Sequence, residues 1–124
     1  MSTKKVICSY IDIAHVSDIL SVKDQIVSFR ENKEWTRLNA KSKIVYQSQL
    51  EIPNAGSIML ETVTVNVDSA DALNLQNGKE YYVLCVHAGM TELIVGSLEY
   101  PAKKTFSSDG VRTTFTFTCV SPEN

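Results

Sequence analysis

The sequence contains no motif that names a reaction. No serine stands in a G-x-S-x-G setting, and neither C-x-x-C nor H-E-x-x-H spacing occurs. The five glycines, Gly56, Gly78, Gly89, Gly96 and Gly110, are too dispersed to cradle a phosphate. No apolar run approaches the roughly 20 residues that span a bilayer. A net charge of -2 supplies no long-range attraction for nucleic acid or an anionic membrane. The three cysteines, Cys8, Cys85 and Cys119, are odd in number and far apart. That pattern predicts reduced, buried thiols rather than a secreted disulfide framework. The opening MSTKKVICSYIDIAHV has two lysines before apolar residues, yet Ser9, Tyr10, Asp12 and His15 interrupt the apolar part. It reads as a first strand, not a secretory leader.

What is present is a period of two. In KIVYQSQLEI, Ile44, Tyr46, Leu50 and Ile52 fall on one side and Gln47, Gln49 and Glu51 on the other, which predicts a strand with one wet face. Pro53-Asn54-Ala55-Gly56 carries turn chemistry. In SIMLETVTVNV, Met59, Val63, Val65 and Val67 alternate with Leu60, Thr62, Thr64 and Asn66. Residues 68 to 79 break the period. Asp68 or Ser69 could cap a short helical turn from Ala70 to Leu75, and Asn77-Gly78 reads as a turn into the next strand.

YYVLCVHAGMTELIVGSLEYP predicts a hairpin turning at Ala88 to Thr91, with Gly89 as the first central residue of a type II′ turn. The implied register pairs His87 with Glu92, Cys85 with Ile94, Val83 with Gly96 and Tyr81 with Leu98. Its first strand is apolar on both sides, as a central, doubly covered strand would be. A second hairpin is expected over residues 103 to 120, turning at Asp109-Gly110 in a type I′ turn. There Val111, Thr113, Phe115, Phe117 and Cys119 share one side, while Arg112, Thr114, Thr116 and Thr118 share the other. Residues 15 to 40 admit two readings. Ile19, Leu20, Ile26 and Val27 could line a short helix capped at Ser17, or Gln25 to Phe29 could be a strand. Extended structure with one irregular loop is favoured.

Cys85 and His87 are the best chemical candidates by residue type, because a thiolate nucleophile needs a base within hydrogen-bond reach. At i and i+2 on a strand their side chains are parallel and need not touch. A zinc site would need about four ligands. Packing is therefore the favoured reading: Cys85 as a small core residue, His87 as a strand-end histidine facing Glu92. Asp12 and His15 could form an acid–base pair, although a strand end followed by a polar loop is favoured. No catalytic residue, metal site or cofactor is assigned. Lys4-Lys5, Lys41/Lys43 and Lys103-Lys104 are small basic clusters of the kind that protect sheet edges.

The portion ELIVGSLEYPAKKTFSSDG, residues 92 to 110, resembles small virion proteins of phages and prophages of gut bacteria. In these a strand ending in Ile/Val-Gly-x-x-Glu-x-Pro follows a short turn, a pattern carried here by Val95, Gly96, Glu99 and Pro101. The likeness covers the C-terminal half. It implies a structural component of the neck or tail, such as a connector, tail-terminator or tail-tube-like protein. It further implies a homo-oligomeric ring in the virion, made in the bacterial host cytoplasm, with other virion proteins as partners. Specific nucleic-acid recognition and membrane binding are not expected.

The expectation is one domain over residues 1–124, all-β or mostly β with one short helix, built as an antiparallel sandwich or barrel of about seven to nine strands. The candidate interface comprises Glu31, Asn32, Lys33, Glu34, Trp35, Lys103 and Lys104. Trp35 beside a charged loop suits an interface anchor, and the core reading of it is the stronger one. The competing functions are a monomeric binding module for a small ligand or peptide, and a cysteine-dependent enzyme.

Overall fold

The computed structural model describes residues 3–38, 40–41, 43–51, 57–68 and 80–122. Within them the chain is all-β. The strands are β1 (Thr3–Cys8), β2 (Tyr10–His15), β3 (Ile19–Lys23), β4 (Ile26–Phe29), β5 (Thr36–Arg37) and β6 (Ile44–Glu51). They continue with β7 (Ile58–Asp68), β8 (Tyr81–Ala88), β9 (Thr91–Val95), β10 (Ala102–Ser108) and β11 (Arg112–Pro122). One 3-10 turn, Val16–Asp18, follows β2, with the His15 ring accepting from the Ser17 amide. Every strand pairing is antiparallel.

The main sheet runs β1-β6-β7-β11-β10-β8-β2-β5. Its two ends meet because β1 and β2 are one run of chain bent at Ser9. The first half pairs with β6 and the second with β8, and the Ser9 amide continues the ladder to the His87 carbonyl at 2.7 Å. The sheet thus closes on itself as a small barrel, which leaves few unpaired edges. One seam is irregular. The start of β8 pairs with β10, and the rest of the same edge pairs with β9. The chain leaves β9 at Gly96, whose φ is +96°; a Cβ there would lie 3.2 Å from the Ala102 amide nitrogen and 3.3 Å from the Tyr82 carbonyl oxygen. Two other stretches of backbone approach this glycine closely, as a glycine inside a strand pattern permits.

Alternation decides the interior. Ile11, Ile13, Ile44, Tyr46, Val63, Val65, Val67, Tyr82, Leu84, Val86, Phe115 and Phe117 point inward and form one buried cluster. The Phe115 and Phe117 rings stack, and Tyr82 meets Phe117 edge to face. Val83 and Ala14 point the other way and are covered by the β3–β4 hairpin through Ile19, Val22, Val27 and Phe29. The doubly covered β8 is accounted for: sheet encloses one side and a separate hairpin lies over the other.

Three expectations are corrected in detail, and the two readings of residues 15 to 40 are resolved in favour of the extended one. First, eleven strands among the described residues replace the seven to nine, since β3, β4 and β5 are short pieces in the region without clear alternation. That region holds no helix beyond the 3-10 turn among the described residues, and residues 26–29 are a strand. Its hairpin turns on Asp24 and Gln25, both with positive φ (51° and 65°), a type I′ conformation without its usual glycine. Second, β10 and β11 pair Ser108 with Thr113 and the Asp109 amide donates to the Arg112 carbonyl at 3.1 Å, so the turn falls on Gly110 and Val111 rather than on Asp109-Gly110, and with positive φ at Gly110 alone it is not type I′. The Asp109 carboxylate accepts from the Val111 and Arg112 amides, and Val111 is 72 % exposed rather than inward. Third, Lys104 is buried rather than at a surface. Its alternation with Ala102 turns it into the barrel, and its ammonium lies 5.6 Å from the centre of the Tyr82 ring. The turn at 53–56, Ile52, the helical turn at 70–75 and the turn at 77–78 lie outside the described residues.

Candidate functional site

The β2–β8 pair places Asp12 opposite Cys85 and Tyr10 opposite His87 on the outer side of the barrel. β5 adds Arg37 beside Asp12, and β9 adds Glu92 beside His87. Four strands therefore bring together residues from positions 10 to 92 of the chain. The predicted pairings of His87 with Glu92 and of Cys85 with Ile94 are both present. Gly89 at φ +64° makes the turn between them, with Met90 fully exposed at its tip.

Asp12 is the centre of the cluster. Arg37 grips its carboxylate with Nε at 2.8 Å and Nη2 at 3.1 Å, a two-point contact that suits a planar guanidinium. The guanidinium also lies over the Tyr10 ring, 4.0 Å from its centre. His87 Nε2 stands 3.0 Å from Asp12 Oδ2. Arg37 first, and His87 second, hold the Asp12 carboxyl below its ordinary value against the opposing effect of burial. An ionised carboxylate only accepts, so His87 Nε2 carries the proton and donates it.

That assignment answers whether Cys85 is an activated nucleophile. Its Sγ lies 3.5 Å from the same Nε2. A catalytic dyad needs a lone pair on the nitrogen facing the thiol, with any orienting carboxylate on the other ring nitrogen. Here thiol and carboxylate share one nitrogen, and that nitrogen is occupied by its proton. The thiol is pushed up to about 11 by burial, with Glu92 and Asp12 adding to it. It is the reverse of the electropositive setting that makes a reactive cysteine. The other face of the imidazole is different: Nδ1 looks at Glu92 Oε1 across 3.5 Å. Ligand atoms of Cys85, His87 and Glu92 all lie within 4.8 Å of one another.

Asp12 and His15 do not pair. Three positions apart on a strand they point to opposite sides, and His15 instead contacts Ser17 and the edge of Tyr82. Of the interface candidates, Glu31, Asn32, Lys33 and Glu34 are exposed on the stretch between β4 and β5. Trp35 is half-buried against Phe29 under the β3–β4 hairpin. Lys103 is exposed on the outside of β10, and Lys104 is inside.

A second feature lies at one end of the barrel. Glu61 and Cys119 are cross-strand partners, and the Tyr46 hydroxyl donates to Glu61 at 2.6 Å. Burial raises the Glu61 carboxyl above its ordinary value. Cys119 is pushed up to about 11 by burial and by Glu61. An open cavity of about 380 Å³ lies here, bordered by Glu61, Cys119, Tyr100, Gln25 and Ser97. Periodicity could not find this site, because Glu61 falls in the inward set beside valines and only the strand register shows what it meets.

The outside of β6, β7, β11 and β10 is the third feature. Cross-strand rows there run Gln47–Thr62–Thr118–Lys103 and Val45–Thr64–Thr116–Thr105, followed by Asn66–Thr114–Ser107. The Thr114 hydroxyl donates to the Asn66 side-chain oxygen. Among the described side chains of this face, charge is confined to its margins at Lys103, Asp68 and Arg112.

No family description, no curated protein and no solved structure matches the chain.

Proposed function

We propose that the chain is a non-enzymatic structural subunit that packs against copies of itself in a homo-oligomeric ring, in the manner of a phage neck or tail protein. The observation that carries this reading is the neutral outer face of β6, β7, β11 and β10. A surface four strands wide, built mainly from Thr, Gln, Asn and Ser with charge only at its margin, costs less to desolvate than a charged one. Depletion of charge at the centre is the compositional mark of protein interfaces. Lys103 at the margin would supply a polar rim contact, whereas the exposed Glu31 to Glu34 stretch lies between β4 and β5, apart from this face. The protonated state of Cys85 favours a non-enzymatic role, and the resemblance of residues 92 to 110 to virion proteins favours the ring and other virion proteins as neighbours. The test is native mass by light scattering behind size exclusion, across a range of concentrations. A discrete multiple of the 13.8 kDa chain supports the ring. A monomer at every concentration removes self-assembly from the reading.

A second reading, a binding module for a small ligand, is favoured by one observation only. The cavity at the barrel end presents the buried Glu61 carboxyl, and the mouths of barrels are common ligand sites.

A further inference from the structure

Separate pieces of chain build the cavity at the barrel end: the β3–β4 turn, the exit from β9, and the neighbouring strands β7 and β11. Its walls are tied to one another. The Gln25 side chain accepts from the Ile94 N–H at 2.8 Å and donates to the Ile94 carbonyl at 3.4 Å, which fixes the hairpin tip against β9. The Cys119 thiol donates to the Tyr100 carbonyl at 3.1 Å, and the Ser97 hydroxyl accepts from the Tyr100 amide at 3.0 Å. Those polar groups are committed to the walls themselves.

The two carboxyls of the lining are placed differently. Glu61 accepts from the Tyr46 hydroxyl, while burial penalises its charge. Asp24, exposed at the hairpin tip, makes no ion pair among the described residues. No Lys, Arg or His borders the cavity among the described residues. Lys23, next to Asp24 in sequence, alternates away and borders the adjoining groove instead.

We propose, on the small-ligand reading of the barrel end, that this cavity binds a small organic cation, a protonated amine carried on a short apolar body, with Glu61 as its inner counter-ion and Asp24 at the rim. Charge decides the class. An ammonium group brings the positive charge that the lining lacks and donates to the carboxylate in a charge-assisted hydrogen bond. An anionic ligand would meet like charge at both carboxyls. Tyr100 adds an aromatic ring to the same lining, and such rings attract cations. Size decides the rest. A cavity of about 380 Å³ is larger than a lone ion requires and falls within the range of small-molecule sites. Val22, Ile94 and Pro122 give an apolar body something to cover. A calcium ion would need about six or more oxygens, and those of Gln25 and Ser97 are already engaged.

The test titrates the full isotope-labelled chain at neutral pH with three probes of one shape: phenethylammonium, phenethyl alcohol and hydrocinnamate. Backbone amide shifts are followed by NMR. Phenethylammonium should move the Gly96, Ser97 and Cys119 amides saturably, and should bind at least ~10-fold more tightly than either other probe, the scale of one charge-assisted hydrogen bond. Glu61→Gln, which keeps an acceptor for the Tyr46 hydroxyl, should weaken that binding at least ~10-fold. Asp24→Asn should weaken it by a smaller factor. Alcohol or acid binding as tightly as the ammonium, or ammonium binding indifferent to Glu61→Gln, overturns the cation assignment while a small-ligand site still stands. No saturable shift at these amides with any of the three probes overturns the assignment and the small-ligand reading together.

Discussion

Asp12 Oδ2 and His87 Nε2 lie 3.0 Å apart although 75 positions separate them in the chain. β2 and β8 carry them side by side on the outer wall of the barrel, and Arg37 holds the carboxylate from its other flank. The contact fixes the tautomer of the imidazole and denies Cys85 a base. It also makes Asp12 the group on which the acid stability of this wall depends. Its folded pKa is depressed, chiefly by Arg37, so the stability it contributes is complete above the ordinary aspartate value of about 3.9. That contribution is lost as pH falls through the lower folded value. In Asp12→Asn the loss of stability on acidification below about pH 4 becomes shallower. Urea unfolding at a series of pH values reads this directly; an unchanged acid limb would show that Asp12 is not linked to folding.

Glu61 should act in the opposite direction. Burial raises its folded pKa above the ordinary glutamate value of about 4.3. The folded state therefore holds the proton more tightly, and stability falls as pH rises from that ordinary value through the folded one. Glu61→Gln keeps an acceptor for the Tyr46 hydroxyl and cannot ionise. The variant should lose this slope and be the more stable protein at neutral pH. A wild-type stability that is flat between pH 4 and 7 contradicts the prediction.

The thiols should be slow. Cys8, Cys85 and Cys119 are all buried, and the latter two are pushed up to about 11. Native alkylation by iodoacetamide near neutral pH should run at least ~100-fold slower than in denaturant, since only the exposed thiolate reacts. One thiol reacting quickly in the folded protein, with mass spectrometry placing it at Cys85, would instead revive the enzymatic alternative.

Self-association should be sensitive at the middle of the Thr face and nowhere else on it. Thr64 and Thr116 are directly opposed across β7 and β11. Thr64→Lys or Thr116→Lys places one charge there and should weaken assembly at least ~10-fold, because a buried unpaired charge is costly. Each should leave monomer stability within about 0.5 kcal/mol, as surface substitutions generally do. Sedimentation and thermal unfolding of the same samples separate the two effects. Assembly that tolerates both lysines places the interface elsewhere.

Two glycines with positive φ should differ in their tolerance of alanine. At Gly89 nothing lies within 4 Å of an added Cβ, so Gly89→Ala costs only the left-handed backbone, about 1–2 kcal/mol. At Gly96 the Cβ meets the backbone of Ala102 and Tyr82 at 3.2 and 3.3 Å, so Gly96→Ala costs more than that. Equal losses in the two variants, measured by chemical unfolding, would show that the β9–β10 seam can yield.

What the sequence made legible follows from where alternation is clean. β6, β7, β8 and β11 show themselves because Val, Phe and Ile recur at every second position, and the β8–β9 register follows from Gly89. β3 to β5 are obscured because their strands are short and their turn uses Asp24 and Gln25 at positive φ, where glycine would have marked it. Gln25 has a compensating role that no local pattern encodes: its amide accepts from the Ile94 N–H at 2.8 Å and caps the β9 edge. The Cys85–His87 spacing was visible. Asp12 was visible too, but with His15 as its partner; its meeting with His87, the part of Arg37 and the shared Nε2 were not, since they depend on which strands lie beside β8. Lys104 misled for a related reason. Two adjacent lysines look like one basic patch, yet on a strand they point to opposite sides, and the one inside has no hydrogen-bond partner among the described residues.

The bend at Ser9 bears on the order of folding. The first strand needs two partners, β6 beginning at Ile44 for its front half and β8 beginning at Tyr81 for its rear half. Neither is local, and the second is most of the chain away. Such long-range pairing is slow, and domains dominated by it fold in milliseconds to seconds. The earliest residues in chain order are thus among the last to be secured. Until β8 docks, the barrel stands open along the wall that bears Asp12, and Ile11 and Ile13 are still exposed to any neighbouring chain able to offer a strand.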